Sequence, residues 1–412
     1  METPVRRLQV LAHHLSAPST EVVICAALRT PLIKSYRGVF KDMPLESLLQ
    51  PVIQQLISTT HIDPSKIGDI AVGNVLPPGA GFMTARMCQF LAGLPFTVPL
   101  QTVNRLCSSG LHACDVIANE ILRGEIEVGL AAGVENMSMF NLAKSISLDP
   151  ATLDPRVMGN QLAKDCMMPM GITSENVAEK YGITRQMQDQ MAVESHAKAA
   201  RAQEMGLFDS EIVPVTVTLT GKDGKERSIV VTKDDGVRKE TTLATLAKLK
   251  PVFKKDGTTT AGNSSQLTDG AAGVLLASRA AAQKYGLPIL AKWVGFTTAG
   301  VPPSLMGIGP AAAIPKVLQQ CNLRLGDIDV FEINEAFASQ ATYCVNVLGV
   351  PKEKLNPKGG AIALGHPVGC TGARQVATLI PELKRTGKRF GLISMCMGTG
   401  MGAAAIIENV SR

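Results

Sequence analysis

The feature that most restricts the fold is that the chain repeats itself. Gly68-Asp69-Ile70-Ala71-Val72 returns as Gly326-Asp327-Ile328-Asp329-Val330. Further on, Ser109-Gly110-Leu111 opens a helical pattern that Thr371-Gly372-Ala373 opens again. In this second match Gly110, Glu120 and Gly129 are answered by Gly372, Glu382 and Gly391, ten and then nine residues apart in both copies. One match could be chance, but two at nearly the same offset argue for a duplicated unit. Short apolar runs of buried-strand type (21–26, 69–75, 128–133) alternate with helical patterns, which predicts an α/β fold of βαβ-rich halves with mostly parallel strands. A chain of 412 residues has room for two such halves and an insertion.

Between the copies the character of the chain changes. Charge density rises from 141 to 265. Thr184 suits the N-cap of a helix over 185–205 with Gly206 at its end. Residues 213–231 alternate about Asp223-Gly224 as a hairpin does, and Lys248, Lys250, Lys254 and Lys255 follow. The expected division is a targeting segment at 1–19, a first half at 20–140 plus 266–288, an inserted loop domain or lid at 141–265, and a second half at 289–412.

The targeting segment is read from Arg6, Arg7, His13 and His14, which flank Leu8, Leu11 and Leu15; a helix would put these leucines on one face. Arg7-Leu8, five residues, then His14-Leu15 fits the nonapeptide of N-terminal peroxisomal import signals. This implies an import receptor as partner, with a mitochondrial presequence as the alternative. No basic block is interleaved with aromatics, which argues against nucleic acid; a net charge of +6 suits an anionic small molecule. The longest charge-free stretch, 293–315, is broken by Pro302, Pro303 and Pro310 and predicts no membrane span. The nine cysteines form no CxxC pair, so neither a metal site nor a disulfide framework is expected. Cys88, Cys114, Cys321 and Cys344 read as small buried hydrophobes.

Cys107 is different. In Asn104-Arg105-Leu106-Cys107-Ser108-Ser109-Gly110 it stands just ahead of a helix start, whose free N–H groups and dipole favour a standing thiolate. The corresponding place in the second half carries Gly365-His366-Pro367-Val368-Gly369, read as an exposed turn. Two pseudo-symmetric helix starts aimed at one centre would bring a base, His366, to a nucleophile, Cys107. Cys396-Met397-Gly398-Thr399-Gly400 ends a strand with a glycine-rich turn able to aim N–H groups at an oxyanion. Asn334-Glu335-Ala336-Phe337-Ala338 follows the duplicated strand, where Asn334 could equally be an ordinary helix cap.

These four segments, in this order, resemble the motifs of the thiolase family, and the similarity runs from about Thr20 to Glu408, most of all to its peroxisomal 3-ketoacyl-CoA branch. The resemblance implies two similar halves layered α/β/α/β/α with a loop domain inserted in the first, assembled as homodimers. It implies cleavage of 3-ketoacyl-CoA to acetyl-CoA and a shortened acyl-CoA, with coenzyme A as co-substrate and no permanently bound cofactor. By the same resemblance Cys107 accepts the acyl group, His366 is its base and Cys396 is the acid/base at the α-carbon. His366 and a water on Asn334 would stabilise the enolate, and the N–H groups of Cys107 and Gly398 the thioester oxyanion. Arg238, Thr245, Ala261 and Ser265 fall where the family contacts CoA. Thr399 stands where many members have a third consecutive glycine, a departure that leaves the assigned donors in place. An acetoacetyl-CoA-forming enzyme and a silent acyl-CoA or lipid carrier are the alternatives. A condensing ketosynthase usually lacks the second cysteine, and a carrier would be expected to have lost Cys107 or His366.

Overall fold

The structure, a computed structural model, describes residues 21–145, 148–221 and 224–410. The import-signal reading of Arg7 to Leu15 and the turn residue Asp223 lie outside these residues. The labelled strands are β1 (Val22–Arg29), β2 (Asp69–Gly73), β3 (Leu100–Val103), β4 (Val128–Asn136), β5 (Thr268–Ser278), β6 (Ala291–Gly300), β7 (Val330–Ile333), β8 (Phe390–Met397) and β9 (Met401–Asn409). The labelled helices are α1 (Leu45–Thr60), α2 (Ser109–Leu122), α3 (Met170–Tyr181), α4 (Arg185–Glu204), α5 (Gly309–Gln320), α6 (Ala338–Leu348) and α7 (Thr371–Thr386).

The strands form a ten-stranded sheet in the order β7-β8-β9-β6-β1-β5-β4-β2-β3, with the short strand Ile33–Lys34 also on β5. The two halves of this sheet meet between β1 and β6 through two residue pairs, Val23 with Lys292 and Ile24 with Ala291. Side chains along each strand alternate between two apolar layers. Ala131 and Leu276 face a central core shared with Leu111, Ile117, Val376, Leu379 and, from the other half, Ile393 and Met395. Leu130 and Leu275 face outward onto Leu48, Val52 and Leu56 of α1. On the far side Ile314 and Val317 of α5 cover Ile333, Leu392 and Ile406. The result is α1, half-sheet, α2 with α7, half-sheet, α5: the five layers expected of two duplicated halves.

The central helices touch backbone to backbone. A Cβ on Gly372 would stand 2.3 Å from the Leu111 nitrogen, so the α2–α7 approach requires glycine. The same contact sets the two helix starts, and the loops that carry Cys107 and His366, against one another: a Cβ on Gly110 would stand 2.8 Å from the Gly369 carbonyl.

Two expectations need correction. The strands are not mostly parallel: among the described residues β2–β3, β2–β4 and β7–β8 run parallel. The pairs β1–β5, β1–β6, β4–β5, β6–β9, β8–β9 and the Ile33–Lys34 pair run antiparallel. With helices on both faces, either direction gives a near-continuous apolar run. The first repeat match is also out of register. Asp69 lies opposite Gly129, and it is Val330, not Asp327, that lies opposite Gly391. The five-residue similarity therefore names the right elements three residues off.

Between β4 and β5 the chain leaves the sheet. Thr184 caps α4 by accepting from Met187 N (3.3 Å), and Val215–Thr220 pairs with Glu226–Val231 as an antiparallel hairpin. This segment is tied to both halves by a buried ion cluster: Arg29 of β1 bonds Glu211 and Asp234 (2.7 Å each), and Lys358 bonds Glu211 (2.8 Å). Deleting one member would strand a buried charge at a cost of about 3–5 kcal/mol.

Candidate active site

Cys107 is held by a tight turn built for it. Leu106 takes a left-handed backbone (φ 49), a strained choice for a branched residue. Ser109 secures the turn, accepting from Arg105 N (2.9 Å) and donating to Leu106 O (2.6 Å), while Asn104 Oδ1 accepts from Leu106 N (3.1 Å). The turn sets Cys107 two residues before α2, buried, where its sulfur accepts the N–H of Gly398 from the other half.

Burial pushes the Cys107 thiol up to about 11, against the hydrogen bonds from Gly398 and its own N–H. Burial thus favours the thiol, against the standing thiolate expected from the helix start, because desolvation in a closed site opposes the helix dipole. A base must then take the proton as the sulfur attacks.

His366 fits that need. It is buried rather than on an exposed turn, because the Gly365–Gly369 loop is pressed between the two halves. Gly365 has φ 106, and a Cβ there would stand 2.2 Å from the Thr268 side chain, so no other residue fits before the histidine. Burial, and then the Arg374 charge, pull the imidazole down to about 3, so it is neutral at physiological pH. Thr371 Oγ1 donates to Pro367 O (3.0 Å) and lies 2.6 Å from His366 Nδ1. Its one hydrogen is committed, so it accepts from Nδ1–H and leaves Nε2 unprotonated, its lone pair facing the Asn334 amide (3.3 Å).

Asn334 is not a helix cap. Phe337 occupies the N-cap of α6, and Asn334 Nδ2 instead lies 3.3 Å from His366 Nε2, with Oδ1 buried and unpartnered. Cys396 is the last residue but one of β8, fully buried, with its thiol pushed well up by burial and by the neighbouring Cys107. Gly398 begins the three-residue connection to β9, where Thr399 takes φ 62, the left-handed backbone for which glycine is the easier residue. The structure thus brings together Cys107, Gly398, Cys396, Asn334 and His366.

The four outer residues lie on the inserted segment. Ser265 donates its N–H to Ala336 O (3.0 Å), next to Gln266, whose carbonyl accepts His366 N (2.9 Å). Arg238 is exposed two residues beyond Gly236, whose carbonyl accepts Gln266 Nε2 (2.9 Å). Thr245 is exposed in the capping box of Leu243–Ala247, and Ala261 is exposed beside Gly262, which packs on that helix.

Three residues escaped the sequence reading. Thr371 was legible only as a helix start, though a hydroxyl five residues after the histidine of a Gly-His-Pro turn is a usable signal. Gln340, in the first turn of α6, touches Cys396. Glu135, fully buried at the end of β4, accepts from Val75 N (3.1 Å), Leu76 N (3.2 Å) and Gly369 N (2.9 Å). Of the cysteines read as buried filler, Cys88, Cys114 and Cys344 are buried and Cys321 is half-buried.

Comparison with known proteins points to one family. The thiolase N-terminal domain model matches residues 22–280 and the thiolase C-terminal domain model residues 287–409. The human protein named 3-ketoacyl-CoA thiolase, peroxisomal, is 52% identical over 98% of this chain and 99% of its own. The Arabidopsis thaliana 3-ketoacyl-CoA thiolase 2, peroxisomal, is 55% identical over 94% of this chain and 84% of its own. Among solved structures, the dimeric peroxisomal thiolase of Saccharomyces cerevisiae superposes with TM-score 0.87 at 46% identity, covering 97% of this chain and 100% of that one. Human mitochondrial 3-ketoacyl-CoA thiolase superposes with TM-score 0.85 at 35% identity, covering 96% and 100%. The chain belongs to the thiolase family.

Proposed function

We propose that the chain is a peroxisomal 3-ketoacyl-CoA thiolase, which cleaves 3-ketoacyl-CoA with coenzyme A in the last step of fatty acid β-oxidation. The observation that carries this reading is one buried centre built from both halves: a cysteine on the N–H of Gly398, a neutral histidine held by Thr371 and Asn334, and a second cysteine. Breaking the C2–C3 bond needs a nucleophile for the C3 ketone and a sink for the electrons left on C2. Cys107 attacks C3 as His366 Nε2 takes its proton. The C2–C3 electrons move into the thioester as an enolate, whose oxygen is held by the His366 N–H and a water on Asn334. Cys396 gives C2 its proton and acetyl-CoA leaves. The Cys396 thiolate takes the proton of the CoA thiol as its sulfur attacks the Cys107 thioester, whose oxyanion is held by the N–H groups of Cys107 and Gly398. The acyl group departs on CoA, and the Cys107 thiolate takes its proton back from His366, which restores all three groups.

In this reading the inserted segment, 141–265, is the lid that receives CoA, with Arg238, Thr245, Ala261 and Ser265 as its contacts. The chain forms a homodimer through the exposed apolar residues Met83, Met87, Leu91 and Phe96, beside the sheet-edge strand β3. The Saccharomyces cerevisiae relative is described as dimeric. Peroxisomal residence rests on the peroxisomal names of the relatives and on the Arg7-Leu8…His14-Leu15 pattern.

The test is thiolysis of 3-ketoacyl-CoAs of increasing length, with Cys107→Ala and Cys396→Ala alongside. Cys107→Ala should form no acyl-enzyme. Cys396→Ala should still be acylated on Cys107 by a saturated acyl-CoA, yet lose about 10²–10⁴ in exchange of acetyl-CoA α-protons with deuterated water. Normal exchange in Cys396→Ala would reassign the acid/base, and a thioester trapped on Cys107→Ala would reassign the nucleophile.

A further inference from the structure

Cys396 must hold negative charge for part of each cycle, yet it is fully buried, and burial makes its thiolate costly. Something beside the sulfur has to offset that cost. The side chain that meets it is Gln340, itself fully buried in the first turn of α6.

The orientation of the Gln340 amide follows from its surroundings. One end lies 2.6 Å from the Ala341 N–H and the other 3.1 Å from the Asn334 carbonyl. An oxygen belongs on the first and an NH₂ on the second, since the reverse would set acceptor against acceptor and donor against donor. The position that thereby becomes nitrogen is the one 3.3 Å from Cys396 Sγ. An amide NH₂ has two hydrogens: one is used on the Asn334 carbonyl, and the other points to sulfur. The same amide therefore touches the Cys396 sulfur and the backbone of the residue whose side chain contacts His366.

We infer that Gln340 is the positioning residue of the proton-transfer half of the site, donating a hydrogen bond to the Cys396 thiolate and fixing it relative to Asn334. This rests on the proposed role of Cys396. In that role the Cys396 thiolate takes a proton from C2 of acetyl-CoA while the C–H electrons move into the thioester oxygen; return of a deuteron completes the exchange. Gln340 gains or loses no proton. The hydrogen it does not spend on the Asn334 carbonyl serves the charged sulfur, so its loss selectively penalises the steps in which Cys396 is ionised.

The experiment uses Gln340→Met, which keeps the length and removes the donor, and Gln340→Glu, which keeps the shape and replaces the NH₂ with an oxygen. Each is assayed for α-proton exchange of acetyl-CoA against pH by NMR, and for acylation of Cys107 by a saturated acyl-CoA by intact mass. A hydrogen bond to a charged group corresponds to roughly 10- to 100-fold in rate. Exchange should fall by about that factor in Gln340→Met, with its rise moved to higher pH, and further in Gln340→Glu. Acylation should stay within about twofold of wild type, as it uses the other sulfur. If Gln340→Met does not fold, Gln340→Glu carries the test. An exchange profile unmoved in the folded variants overturns the inference, as does an equal loss of acylation, which would mean mere packing. Cys396→Ala in parallel separates the two readings. If it exchanges normally the acid/base assignment fails; if it is inactive while Gln340→Met is normal, only the role of Gln340 fails.

Discussion

Removing one hydroxyl, in Thr371→Val, tests whether His366 works as a neutral base of fixed tautomer. Thr371 is fully buried and valine has nearly its shape, so packing is preserved while the acceptor for Nδ1–H disappears. The proton on Nδ1 then has two choices. It stays, leaving a buried donor unpaired at about 1–3 kcal/mol, or it moves to Nε2 and removes the lone pair that receives the Cys107 proton. Protonating both nitrogens is no escape, because burial and Arg374 hold the imidazole down to about 3. At 1.36 kcal/mol per decade, the loss is about 5- to 150-fold in the rate of Cys107 acylation. Single-turnover acylation by a saturated acyl-CoA, followed by intact mass, isolates that step from carbon–carbon chemistry. Thr371→Ser should recover most of the rate, since it restores the hydroxyl without the methyl. Wild-type acylation in a folded Thr371→Val would refute the argument, and so would a Thr371→Ser as slow as the valine.

The remaining predictions concern the resting state and the address. Because burial pushes the Cys107 thiol up to about 11, the thiolate is the minor form at neutral pH, so alkylation by iodoacetamide should keep rising with pH beyond the range of a free cysteine, about 8.5. A plateau below that value in wild type would show a standing thiolate. Deleting residues 1–19, which precede β1, should leave thiolysis unchanged and the protein in the cytosol. Peroxisomal import of the truncated chain, or mitochondrial import of the intact one, would remove the import-signal reading.

What could be read from the sequence was what is encoded in adjacent residues. Cys107 before a helix, His366 in a Gly-His-Pro loop, and Cys396 in a glycine turn are local patterns, and all three are found in one centre. The duplication was visible through Gly110 and Gly372 because the close approach of α2 and α7 fixes those two positions. What escaped depends on neighbours distant in sequence. Gln340 meets Cys396 across 56 residues and Glu135 meets Gly369 across 234, spans that no local pattern covers. The burial that opposes a Cys107 thiolate is equally hidden, because a helix start is legible in the sequence and a closed site is not. Strand direction failed because β1, β4 and β5 are buried on both faces and show no alternation to read.

The symmetry of the frame explains why a duplicated chain has one such centre and not two. Counting from the helix starts, residues in the first half correspond to residues 262 further on, as Gly129 does to Gly391. Glu135 and Met397 are then twins, and each strand end braces the opposite helix start: Glu135 accepts from Gly369 N (2.9 Å), and Met397 Sδ accepts from Ser108 Oγ (2.7 Å). The brace has kept its symmetry while the reactive groups have lost theirs. The twin of Cys396 is Val134, that of His366 is Asn104, and that of Cys107 is Gly369. The last of these is forced by packing, since a Cβ on Gly369 would stand 2.8 Å from the Glu135 carboxylate and 2.9 Å from the Asn74 backbone. A nucleophile there would have to displace the brace that seats the His366 loop. Close packing therefore excludes a cysteine at position 369, the twin of Cys107, and the half that lacks a nucleophile at that place carries the base.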